Sequence, residues 1–94
     1  MKILETKIND IILNQKHFIL ICDNKKVMID IIDGTVDIII KTNEDEVVGY
    51  TYLEKNDLIK IIYKKEINEI IIPKKIYVNT KYNFNSESSE SETI

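Results

Sequence analysis

Arginine, alanine and tryptophan are absent from these 94 residues, and there is one cysteine, one histidine, one proline and two glycines. Each shortage removes a class of chemistry. A single cysteine forbids an intramolecular disulfide, and Cys22 with His17 is too few ligands for a structural zinc site within one chain. On one strand, five residues apart, the two would lie on opposite faces, which disfavours a cysteine–histidine dyad. With only Gly34 and Gly49, there is no glycine-rich phosphate loop. Every serine, at positions 86, 88, 89 and 91, falls in the last nine residues, where no scaffold holds a nucleophile in register. No apolar run approaches the ~18 residues that span a bilayer, and Met1-Lys2 does not open a secretory leader. The expectation is an intracellular, cytoplasmic protein that is not an enzyme, with no cofactor, no metal and no membrane association.

What the chain has in quantity is isoleucine, at 21 positions, and asparagine, at nine. With alanine and arginine missing, that usage points to an AT-rich genome, of the kind carried by large DNA viruses, phages and low-GC microbes. A virion or viral factory is then an alternative location.

The length suits one domain with a single modest core. Apolar residues alternate with polar ones at period two, with breaks at "LNQK", "DNKK", "DG", "TNED", "EKND" and "EIN" and no helical spacing. Strands are predicted over residues 2–8, 10–13, 17–22, 26–32, 35–41, 46–53, 58–64, 69–72 and 75–82, with Pro73 between the last two, where its missing N–H removes no ladder bond. The fold class is therefore all-β, one small antiparallel barrel or sandwich over residues 1–84. Residues 85–94, "NSESSESETI", read as a disordered acidic tail.

"MIDIIDGTVDIII", residues 28–40, predicts a type I′ hairpin on Asp33-Gly34. In that register Val27, Ile29, Ile31, Val36, Ile38 and Ile40 share the core face, and Asp30 stands opposite Asp37 on the wet face. Nothing in this stretch resembles a calcium loop. "VVGYTYLEKNDLIKIIYKK", residues 47–65, predicts a second hairpin with its loop at residues 54–57. Tyr50, Tyr52 and Tyr63 then share a face with Val48, Ile59 and Ile61, and Gly49 marks a bulge or tight bend.

The run "GYTYLEKNDLIKI" resembles the strand, turn and "L-x-x-G-D-x-I-x-I" strand of small OB-fold and SH3-like barrels, with Asn56 where those have glycine. OB-folds carry a helix between their third and fourth strands, and none is evident here. The resemblance implies a surface on which single-stranded DNA or RNA stacks on aromatics beside lysines.

Charge supports such a surface in one half of the chain. Glu87, Glu90 and Glu92 account for the net charge of −3, so the rest is neutral, and residues 47–85 carry seven lysines against four acids. The candidate nucleic-acid-binding set is Tyr50, Tyr52, Lys60, Tyr63, Lys64, Lys65, Lys74, Lys75, Tyr77 and Lys81. Lysine without arginine holds phosphate as a point charge and reads bases poorly. The tyrosines beside β-branched neighbours also suit a core, leaving Tyr77, Tyr82 and Phe84 as the exposed aromatics. A second function class stays open: a structural or accessory protein that joins a protein partner or its own copies through isoleucine-rich strand edges.

Overall fold

The structure, a computed structural model, describes residues 1–41 and 45–79. Lys81, Tyr82, Phe84 and the predicted acidic tail, with its domain boundary, lie outside the described residues. Eight strands follow in order: β1 (Lys2–Lys7), β2 (Asp10–Leu13), β3 (His17–Cys22), β4 (Lys25–Asp30), β5 (Asp37–Lys41), β6 (Asp45–Val48), β7 (Leu58–Ile67) and β8 (Ile70–Val78). Between β6 and β7 lies a short 3₁₀ turn, Tyr50–Tyr52. No helix among the described residues is long and apolar enough to cross a membrane.

The strands form one sheet in the order β1-β7-β8-β4-β3-β2, with β5 also on β8 and β6 on β5. The sheet is mixed, which corrects the purely antiparallel expectation. β4 and β5 both run parallel to β8, β4 beside its first half (Lys26↔Ile70, Val27↔Ile71) and β5 beside its second (Asp37↔Lys75 to Ile39↔Tyr77). Among the described residues, hydrogen bonding does not close the sheet, because its end strands β1 and β2 do not pair with each other.

Those end strands are nonetheless consecutive in the chain. At the corner between them Ile8, fully buried, donates its N–H to the Asp57 carbonyl (3.0 Å) and accepts from the Asn56 N–H (2.7 Å), while the Asn9 N–H turns to the Ile21 carbonyl (2.8 Å). One run of chain therefore pairs first with β7 and then with β3. Among the described residues no helical layer covers the sheet's apolar face, and its side chains pack on one another. A single cluster results, drawing Leu20 and Cys22 from β3, Val27 and Ile29 from β4, Ile38 from β5, Ile59, Ile61 and Tyr63 from β7, and Ile71, Ile76 and Val78 from β8.

The Asp33-Gly34 hairpin does not form. Asp33-Gly34 lies in a jog between two strands that follow the same edge of β8, and neither pairs with the other. Gly34 takes φ +60, Asp33 does not take a positive φ, and the Asp30 carboxylate accepts the N–H groups of Ile32 (2.9 Å) and Asp33 (3.1 Å). Asp30 faces His17 across the ladder and Asp37 faces Lys75, so the two aspartates are not opposed. In place of each other, β4 and β5 take β8 as their second partner, β4 beside β3 and β5 beside β6. The type I′ geometry appears instead at Asn68-Glu69 (φ 53 and 66), which joins β7 to β8 through the Ile67↔Ile70 pair.

The second predicted hairpin also gives way to longer-range pairing. β7 is flanked by β1 and β8, and β6 ends at Val48 before the 3₁₀ turn. The loop itself is where it was expected. Asn56 takes the left-handed conformation (φ 76), and the Asp57 carboxylate accepts the Glu54 N–H at 2.9 Å. Pro73 lies inside β8 and not between two strands.

Candidate nucleic-acid interface

β7 and β8 pair regularly from Ile59↔Val78 to Ile62↔Lys75 and then slip. Tyr63 pairs with Pro73 and Lys65 with Ile72, so Lys74 on one strand and Lys64 on the other are skipped. A bulged residue leaves the ladder and bends its strand. Pro73 suits the bend twice over. It has no N–H to lose, and residues 72–74 lie in the gap between the stretches of β8 that β4 and β5 occupy.

The consequence is electrostatic. Two lysine doublets ten residues apart, Lys64-Lys65 and Lys74-Lys75, arrive side by side, and all four side chains are exposed. Among the described residues none of the four takes part in an ion pair. The nearest carboxylate in sequence, Glu66, is engaged elsewhere. It bonds Lys25 at 2.5 Å and accepts a long hydrogen bond from the Tyr63 hydroxyl at 3.5 Å. The hydrogen bond from Lys25 holds the Glu66 carboxyl below the usual carboxylate range, and the same bond raises the Lys25 ammonium. Lys2 also belongs to this end of the sheet, opposite Tyr63 on β1. Counting charge by halves of the chain hid it, since only the β1–β7 pairing brings it near.

The other candidates scatter. Lys60, partly buried, stands between Glu5 on β1 and Tyr77 on β8, with its ammonium 5.5 Å from the Tyr77 ring centroid. Tyr63 is core. Tyr50 is partly buried, its ring 4.7 Å from that of Phe18 and tilted by 49°. Tyr52, two residues on in the 3₁₀ turn, is exposed. The shared face of Tyr50, Tyr52 and Tyr63 is thus corrected. Tyr50 and Tyr52 are not on a strand, and β7 turns Tyr63 inward.

A cleft at the far end of β1 is bordered by Glu5, Thr6, Lys7, Asp23, Leu58 and Asn79, a mixture of signs. Among the described residues no three histidine, cysteine or acidic side chains are grouped as metal ligands. Cys22 is buried, and desolvation, with the Asp23 charge, pushes its thiol up to about 11. A thiol so placed is protonated at neutral pH and a poor nucleophile. His17 lies on the opposite face of β3 from Cys22, as their spacing requires.

No protein-family model matches the chain, and no curated protein or solved structure is significantly similar to it.

Proposed function

We propose that this domain is a non-enzymatic binding module that holds single-stranded nucleic acid on the β7–β8 bend. The observation that carries the reading is the convergence of Lys64, Lys65, Lys74 and Lys75 at paired bulges with no ion pair among the described residues. Exposed lysines left uncompensated are what a phosphate backbone requires. The preference for single strands draws on the likeness of residues 49–61 to small OB- and SH3-like barrels, a fold type that belongs to this same proposal. Reversal of Lys64 and Lys65 to glutamate is expected to abolish the rise in anisotropy that the protein gives a labelled oligonucleotide at low salt, with folding checked by circular dichroism. Unchanged affinity in that variant overturns the reading.

A second reading has its own observation. β1, β2 and β6 each have one unpaired edge among the described residues. β1 sets Lys2, Glu5 and Lys7 beside exposed Ile3, β6 sets Asp45 and Glu46 beside exposed Val47, and β2 has one charge, Asp10, with exposed Ile12 and Leu13. Sedimentation showing concentration-dependent self-association that Leu13→Lys abolishes would favour an assembly role.

A further inference from the structure

Resting on the nucleic-acid reading, we infer that this surface holds backbone phosphates by charge and makes no stacking contact with bases. Its ligand class is a linear chain of phosphates, whether the diester chain of DNA or RNA or the anhydride chain of inorganic polyphosphate.

The inference comes from what stands beside the lysines. Stacking needs an aromatic face turned outward near the charge. Among the described residues the tyrosines nearest the bend do not supply one. Tyr63 pairs with Pro73 at the bulge itself but is buried in the core cluster. Tyr77 is two residues from Lys75 along β8, and its ring lies beneath the Lys60 ammonium at 5.5 Å. A base arriving there would have to displace a cation already held by the ring. Tyr50 is packed on Phe18. Tyr52 is exposed but sits in the 3₁₀ turn that follows β6, a strand with no pairing to β7 or β8.

What lies outward at the bend is lysine and aliphatic side chain. Ile72, exposed, is the register partner of Lys65, and partly buried Ile62 that of Lys75. Among the described residues Asp37 is the one acid in register with the patch, opposite Lys75. Charges of this kind attract phosphate without distinguishing one base from another.

The test uses the full chain and three probes: an oligothymidylate of about 12 nucleotides, an abasic deoxyribose-phosphate oligomer of equal length, and inorganic polyphosphate as competitor. The two oligomers are expected to bind within about threefold of each other, polyphosphate to displace both, and Tyr77→Leu to leave oligothymidylate affinity unchanged. The slope of log K against log salt is expected near −3, from about 0.7 per phosphate over four lysines. An abasic oligomer weaker by tenfold or more overturns the inference and leaves the nucleic-acid reading standing. So does a loss on Tyr77→Leu that oligothymidylate shows and the abasic oligomer does not. Polyphosphate that fails to compete confines the ligand to the sugar-phosphate chain and overturns the wider class. Absence of binding by all three at low salt overturns both the inference and the reading beneath it.

Discussion

β4 and β5 run along the same edge of β8 and bring similar aliphatic runs to one core, yet they are supported differently. β4 is backed by β3 over six register pairs, and β3 by β2. β5 is backed only by the four-residue β6, whose outer edge is open among the described residues. Period-two alternation decides which side chains go inward. How firmly they are held depends on what stands behind the strand.

The largest expected effects set the two strands directly against each other. Ile29→Ala in β4 and Ile38→Ala in β5 each remove a buried side chain, at a cost of about 2–5 kcal/mol in denaturant unfolding. Ile38→Ala is expected nearer the low end, since a thinly backed strand relaxes around a cavity more readily. A greater loss at Ile38 would break the contrast. Next comes the jog between the strands. A Cβ at Gly34 meets no atom within 4 Å, so the expected cost of Gly34→Val is that of forcing a β-branched residue to φ +60, about 1–2 kcal/mol. Gly34→Asn, tolerant of that region, is the near-neutral control, and equal melting temperatures for the valine variant and the parent would refute the backbone account.

Smaller again is the link between the two sides. Phe18 on β3 meets Tyr50 beyond β6, so a double-mutant cycle to leucine should show coupling of about 0.5–1.5 kcal/mol. Additive losses would mean the sides are independent. The smallest effect concerns the Lys25–Glu66 pair, which ties β4 to β7. Because Glu66 is held below its ordinary value, its contribution is complete above the usual carboxylate range and lost as pH falls through the lowered value. Because Lys25 is raised, the same contribution is lost again as pH rises through the raised lysine value. Melting temperatures of the parent and Glu66→Gln should therefore differ at neutral pH and converge in acid. A gap that persists at low pH would assign the difference to packing instead.

The alternation in "HFILIC" and "DIIL" was enough to place β3 and β2 to the residue. It also put Val27, Ile29, Ile31, Val36, Ile38 and Ile40 on the core side even though their predicted pairing is wrong. Face follows from period two, and partner choice does not. The β1–β7 ladder joins Lys2 to Tyr63, a separation no local pattern encodes. The break at "EIN" was read, but its two-residue Asn68-Glu69 form was missed for a different reason. Glutamate at positive φ is locally unfavourable, and the pairing of the long strands on either side imposes it. Of the candidate site, the two lysine doublets were visible as charge, but their meeting depends on where β7 and β8 slip, and Pro73 alone hinted at it.

The corner at Ile8–Asn9 has a mechanical meaning. Tension applied at Met1 across the strand direction would peel β1 from β7 one pair at a time, starting at Lys2↔Tyr63, because the ladder bonds then lie along the load and the terminal one takes it first. Six pairs on, the pull reaches Ile8, whose side chain is fully buried and whose N–H and carbonyl are both held by residues 56–57. There the direction of load changes, since Asn9 is anchored to Ile21 on β3 and no longer to β7. Unzipping must stop, and further extension has to draw Ile8 out of the core. The N-terminal strand thus behaves as a strip that tears easily to a stitched corner, and the stitch protects the rest of the sheet.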